Sequence, residues 1–222
     1  MPWTIRTRDW PHPVPVPQVQ GFKLLTGIHQ IYDYLCAAYA HANMKIKDLE
    51  FTKFLSPEKI QGQVDALAEQ INTDYKNKIP VFLPILNGSF IFAAELIKKI
   101  NLKCRVSFVK ISSYQGIQST GQLKTLIGHD ESLFNQDIIV VEDIVDSGLT
   151  LTKIMEELRS LGTKSVEAVS LIRKKPARTR GVDVKYVGFE IEEEFVLGYG
   201  LDYDGLGRNL NEIYKAKQQK IV

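Results

Sequence analysis

Glu142 and Asp143, two adjacent carboxylates, stand just ahead of a turn that carries a third acid and two hydroxyls, Asp146-Ser147-Gly148-Leu149-Thr150. A Gly/Ser/Thr turn that opens a helix is an anion site, because the first backbone N–H groups and the positive end of the helix dipole face the ligand. Ser147 and Thr150 add hydroxyl donors to it. Carboxylates beside a phosphate would ordinarily repel it. They make chemical sense when they hold sugar hydroxyls or act through a divalent cation, since Mg²⁺ is bound by one or two carboxylates together with substrate oxygens. Asp146, inside the turn, is placed to handle a proton. An ordinary strand–turn–helix with an acidic cap needs only one acid and one glycine; the run Glu142–Thr150 holds three acids, two hydroxyls and a glycine.

The elements that position these groups are legible around them. Ile138–Val141 is a run of apolar β-branched residues, read as a strand buried on both faces and ended by Glu142 and Asp143. Leu151, Ile154, Met155, Leu158 and Leu161 follow helical spacing, and Gly162 is a stop signal. Upstream, Ser56-Pro57-Glu58 starts a helix that carries Ile60, Val64, Leu67, Ala68 and Ile71 to near Asn77. Strand Pro80–Leu86 follows, with an irregularity expected at Pro84, which has no N–H to give. Helix Ser89–Ile100, strand Arg105–Ser112, a polar loop from Ser113 to Gln122 and strand Leu123–Ile127 come next. Beyond the central helix, strands are expected at Ser165–Ile172, Val184–Phe189 and Phe195–Leu197. Alternating strands and helices predict an α/β fold with a mostly parallel sheet covered on both faces, in which ligands collect at the carboxyl ends of the strands.

Bulk properties narrow the classes of function. The chain has 222 residues, 44% of them hydrophobic, enough for one domain with a substantial core. A net charge of +2 advertises neither a nucleic-acid nor an anionic-membrane partner. No apolar run approaches the roughly 20 residues needed to span a bilayer. Cys36 and Cys104 have no metal-ligand or disulfide-rich spacing, which fits a reducing cytoplasm. Residues 1–43 are read as an extension, Pro-rich over residues 1–20 and either disordered or weakly helical, with a short helix expected over Gly27–Ala42. Composition changes at Met44, where a 44–222 domain is read to begin and where the native start is expected.

Val141-Glu142-Asp143-Ile144-Val145-Asp146-Ser147-Gly148 resembles the phosphoribosyl-pyrophosphate (PRPP) signature of type I phosphoribosyltransferases, in the form of their hypoxanthine-guanine branch. The resemblance runs from about Met44 to the C-terminus. It implies the type I phosphoribosyltransferase fold, a twisted parallel sheet flanked by helices, with a small hood formed by the N- and C-terminal segments. It implies purine salvage: transfer of the 5-phosphoribosyl group from PRPP to hypoxanthine or guanine with Mg²⁺, by a cytoplasmic homodimer or homotetramer. Glu142 and Asp143 would hold the ribose hydroxyls, directly or through Mg²⁺. The turn Asp146, Ser147, Gly148, Leu149 and Thr150 would hold the 5′-phosphate, and Asp146 would be the acid/base at purine N7.

Four further motifs carry the resemblance in order. Leu86-Asn87-Gly88-Ser89 resembles the family's pyrophosphate loop, with an implied non-proline cis peptide at Leu86–Asn87. Ser113 and Tyr114 map to the pair in the mobile loop that closes over the reaction centre and keeps water from a ribosyl cation-like state. In Ser170–Pro176, Lys174 maps to the cation against the 6-oxo group, with Lys175 as the alternative register. Phe195 would stack on the purine, and the Val196 backbone would bond its edge. Asp202 would stand near the pyrophosphate metal or the base edge, and Arg208 would contact pyrophosphate. Taken alone, Phe195 reads as a core aromatic and the cation run as a solvated turn. Asn87 and Leu149 stand where some relatives have Lys, and Asp204–Gly207 is richer in glycine than its counterpart in many relatives. Two other classes use the same signature: a regulator that binds RNA, and a non-catalytic PRPP-binding subunit. The first calls for a basic face and the second has no need of a base pocket.

Overall fold

Ser56 caps the first described helix, α1 (Pro57–Asp74), with extended backbone and a hydroxyl that accepts from the Lys59 N–H at 3.4 Å; Pro57 follows inside the first turn. The helix buries Ile60, Val64, Leu67, Ala68 and Ile71 on one face. The computed structural model describes residues 43–110, 133–175 and 183–217. Within them, strands β1 (Asn43–Ile46) and β2 (Leu49–Leu55) precede α1. After it come β3 (Val81–Leu86), α2 (Phe90–Lys98), β4 (Arg105–Val106), β5 (Val109–Lys110), β6 (Asp137–Val145), α3 (Leu149–Ser160), β7 (Ser165–Lys174), β8 (Tyr186–Ile191), β9 (Val196–Leu197) and β10 (Ile213–Ala216).

The main sheet is parallel, in the order β4–β3–β6–β7–β8, with β5 pairing β3 beyond β4. Its central strand has two apolar faces. Ile139 and Val141 join Phe82, Val169 and Leu171 against Ile60, Val64 and Leu67 of α1 and Phe92 and Leu96 of α2. Ile138 and Val140 turn the other way, joining Val81, Leu83 and Ala168 against Leu151, Ile154 and Leu158 of α3. Strand alternation therefore explains why this stretch is apolar without interruption: both faces are covered. A second, antiparallel sheet, β1–β2–β10–β9, joins the first and last described segments around Phe51, Leu197 and Tyr214 and forms the expected hood.

Several boundaries differ from expectation. Glu142 and Asp143 do not end the strand. β6 continues to Val145, because β7 runs on beside it and pairs Glu142 with Ser170, Ile144 with Ile172 and Val145 with Arg173. Over residues 105–110, the described part of the expected strand Arg105–Ser112, there are two short pieces, and the break falls opposite Leu83 and Pro84, where the missing N–H leaves no ladder to continue. α1 stops at Asp74 rather than near Asn77, with Tyr75 as its cap, and α2 is shorter at both ends. Gly162 does stop α3, at φ +74°. Residues 1–42 of the expected extension 1–43, with helix Gly27–Ala42 among them, the polar loop 113–122 and the strand Leu123–Ile127 lie outside the described residues, while Asn43 opens β1. Among the described residues no helix is long and apolar enough to cross a membrane.

Candidate active site

The carboxyl ends of β3, β6 and β7 meet the hood at a cleft of about 370 Å³. Asp143, on the carboxyl half of β6, is only 7% exposed, and its Oδ1 accepts from the Ile144 N–H at 2.8 Å. Burial, and then the Asp143 carboxyl beside it, push the Glu142 carboxyl well above its ordinary range. Two carboxyls forced together in this way are a donor set that a divalent cation would relieve.

Opposite them lies the β3–α2 loop. The Leu86–Asn87 peptide is cis. A Cβ built on Gly88 would lie 1.8 Å from Asp143 Oδ2, so glycine is required here for the approach of the two chains. Ser89 is fully buried and donates its hydroxyl to the Ile85 carbonyl at 2.7 Å, which ties the loop to its own strand.

The β6–α3 turn behaves as its residue types require. Gly148 takes φ +76° as the cap of α3, a conformation that L side chains rarely adopt. Its carbonyl accepts from both the N–H and the hydroxyl of Thr152 at 2.9 Å. Ser147 Oγ accepts from the Leu149 N–H at 3.4 Å, and Ser147, Leu149 and Thr150 are exposed at the open end of the helix.

The three cations at and just past the end of β7, Arg173, Lys174 and Lys175, part company by alternation. Arg173 pairs with Glu190 of β8, and Lys175 pairs with Glu192, just past β8, at 2.6 Å. Lys174 turns into the cleft, is 16% exposed, and places Nζ 2.9 Å from Asp146 Oδ2. Of the two registers left open by the sequence, Lys174 is the one that lines the cleft.

The hood supplies the remaining wall. Phe195, just ahead of β9, is 45% exposed, with its ring edge-on to Tyr203 (centroids 5.6 Å apart, 82°) and tilted against Phe51. Arg208 donates to the Gly200 carbonyl at 2.7 Å and pairs with Asp202 Oδ1 at 2.5 Å; Asp202 Oδ2 accepts from the Gly205 N–H at 2.7 Å. Leu86, Gly88, Glu142, Asp143, Asp146, Lys174, Phe195, Val196, Asp202 and Arg208 thus share one cleft. Asn87, Ser147, Gly148, Leu149 and Thr150 are on the loop and turn that bound it, and Ser113 and Tyr114 lie outside the described residues. The cleft also includes Ile85, Ile144, Glu194 and Leu201, which sequence reasoning did not single out. Ile144 was signalled by its place inside the acidic run. Nothing local marked Glu194, whose carboxylate is 2.7 Å from Lys215 of β10 and is placed by the hood.

Residues 53–204 match the model of the phosphoribosyl transferase domain. The hypoxanthine-guanine phosphoribosyltransferase of Staphylococcus aureus is 40% identical over 166 residues, covering 74% of this chain and 93% of that protein. That of Staphylococcus epidermidis is 40% identical over 174 residues, covering 78% and 97%. Among solved structures, a hypoxanthine-guanine phosphoribosyltransferase from Bacillus anthracis superposes with a TM-score of 0.67 at 36% identity, over 78% of this chain and 98% of that one. With a buried acid pair, a glycine turn and a paired lysine at the ends of parallel strands, and with these matches across most of its length, the chain belongs to the phosphoribosyltransferase family.

Proposed function

We propose that this protein is a hypoxanthine-guanine phosphoribosyltransferase of purine salvage, moving the 5-phosphoribosyl group of PRPP onto a 6-oxopurine. The observation that carries this is the Lys174–Asp146 pair, an ammonium and a carboxylate 2.9 Å apart beside the exposed Phe195 ring. A 6-oxopurine presents, on one edge, an acceptor at O6 and an adjacent N7–H donor. Lys174 meets the first and Asp146 the second. Adenine offers a donor where Lys174 needs an acceptor, and a site built for one pattern discriminates strongly against the other.

The remaining roles follow from position. The exposed N-terminus of α3, with Ser147 and Thr150, takes the 5′-phosphate. Glu142 and Asp143 take the ribose hydroxyls, directly or through a cation. Their donor set fits Mg²⁺, which prefers one or two carboxylates and completes its shell with substrate oxygens and water. Bound there with PRPP, Mg²⁺ would neutralise charge on the departing pyrophosphate. The Leu86–Ser89 loop and Arg208 receive pyrophosphate, and Asp202 keeps the Arg208 fork in place through their 2.5 Å contact. As the N9–C1′ bond forms and the C1′–oxygen bond to pyrophosphate breaks, the N7 proton passes to Asp146. Phe195 stacks on the base and the Val196 backbone bonds its edge. Ser113 and Tyr114 are assigned to closure over the cleft. The test is competition among hypoxanthine, guanine, xanthine and adenine with PRPP and Mg²⁺ present. Nucleotide formation from hypoxanthine and guanine, with adenine neither substrate nor competitor, is the expected result. Turnover of adenine, or no purine-dependent pyrophosphate release, would refute it.

A further inference from the structure

A partly buried polar cluster lies outside the residues that line the cleft. Tyr199, only 3% exposed, donates its hydroxyl to Glu95 Oε2 at 2.5 Å, and Gln61 donates to the same oxygen. The three residues come from the hood, α2 and α1. Burial, and then the Glu95 carboxylate, hold the Tyr199 hydroxyl above its ordinary range, so it remains a donor.

The segment that Tyr199 anchors has an unusual backbone. Gly198, Tyr199 and Gly200 take φ of +104°, +53° and +103°. A tyrosine in the left-handed region is uncommon and needs its surroundings to hold it. Tyr199 donates its N–H to the Leu210 carbonyl at 2.8 Å, and Gly200 donates its N–H to the Arg208 carbonyl at 2.9 Å. Arg208 in turn donates to the Gly200 carbonyl at 2.7 Å. A Cβ built on Gly200 would stand 2.1 Å from the Gly88 carbonyl oxygen, so this segment lies directly on the β3–α2 loop. Glu95 is on the helix that this loop opens. One side chain therefore ties together both contributors to the pyrophosphate half of the cleft.

We infer that Glu95 is a positioning residue: through the Tyr199 hydroxyl it sets the Gly198–Gly200 segment against Gly88 and so aims Arg208 at the pyrophosphate of PRPP. The inference rests on the proposed reading that Gly88 and Arg208 serve pyrophosphate. It separates the two halves of the site, because Lys174 is carried by β7 and Phe195 stands ahead of the anchored segment, neither touching Glu95 among the described contacts.

The test is steady-state kinetics with PRPP and hypoxanthine on the full chain and four variants. Tyr199→Phe removes only the hydroxyl and keeps the buried ring. Glu95→Ala removes the acceptor, and Glu95→Gln restores an acceptor oxygen without the charge. Asp65→Ala is the control: it breaks the ion pair between α1 and Lys99 at the end of α2 without touching the hood. A hydrogen bond to a charged partner predicts that Tyr199→Phe and Glu95→Ala raise KM for PRPP about tenfold. KM for hypoxanthine should stay within about twofold, as for a site with no shared partner. Glu95→Gln should recover most of the loss, and Asp65→Ala should leave both constants unchanged. Should Glu95→Ala fail to fold, Tyr199→Phe decides alone. An unchanged KM for PRPP in Tyr199→Phe, or a parallel rise in both KM values, overturns the inference. Absence of turnover in the unsubstituted protein instead overturns the functional reading beneath it.

Discussion

Replacing Asp146 by Asn separates chemistry from binding, and the structure sets the size of each effect. Asp146 is 70% exposed and its carboxylate is 2.9 Å from Lys174 Nζ. Coulomb's law in water gives about 1.4 kcal/mol at that distance. Measured exposed pairs retain about 0.2–1 kcal/mol once side-chain ordering and screening act. Loss of the pair should therefore lower the melting temperature by no more than about 4 °C in a domain of this size. In the proposed reading the α3 N-terminus holds the 5′-phosphate, and Asn leaves that turn intact, so KM for PRPP should change by less than about threefold. Asn cannot accept the N7 proton. General-base contributions of about 10²–10⁴ predict a loss of about 3–5 kcal/mol of transition-state stabilisation. The assay is the absorbance change on IMP formation at saturating PRPP and hypoxanthine, repeated across pH. The limb of the kcat profile that belongs to the base should vanish in the variant. A kcat within threefold of the unsubstituted protein would refute the role, as would a loss matched by a drop in folded fraction.

Other expectations follow from the same geometry. Gly88→Ala places a methyl group 1.8 Å from Asp143 Oδ2; it should destabilise the fold by about 1–3 kcal/mol and abolish activity, seen by thermal unfolding and turnover. Phe195→Ala removes a half-exposed ring with little structural cost and should raise KM for hypoxanthine by about 5- to 100-fold, from about 1–3 kcal/mol of base stacking. Chelation of divalent cations should abolish turnover and added Mg²⁺ should restore it; full activity with EDTA present would remove the cation from the Glu142–Asp143 site. Asp137 is 7% exposed; burial pushes its carboxyl up, but the Ser165 hydroxyl at 2.7 Å and the Lys164 ammonium at 2.9 Å outweigh this and hold it below the ordinary aspartate range. A depressed carboxyl stabilises the fold above its unfolded pKa of about 3.9 and loses that contribution as pH falls through the folded value, so Asp137→Asn should flatten the loss of stability below about pH 4 in denaturant melts.

What the sequence determined by itself is what depends on neighbours along the chain. Ser56-Pro57 fixed the start of α1 through a local cap, Gly148 and Gly162 fixed the two ends of α3, and the unbroken apolar run Ile138–Val141 declared a strand covered on both faces. The chemistry of the acidic turn was legible for the same reason: its groups are contiguous. Tertiary structure decided whatever needs a distant partner. β6 runs past Glu142 and Asp143 because β7 lies beside it, and no local propensity reports a ladder partner. The strands β1, β2 and β10 hold one another by pairing between the first and last described segments; the family resemblance implied a hood there, but residue patterning did not resolve its strands. Gly88 reads locally as a turn glycine, whereas Asp143 pressed against it is the reason a side chain is forbidden. Lys174 and Lys175 have the same side chain in adjacent positions; strand alternation, with Glu192 facing one and Asp146 the other, turned only Lys174 into the cleft. The hydroxyl of Tyr199 and the carboxylate of Glu95 are far apart in the chain and become partners only once α2 packs beneath the hood.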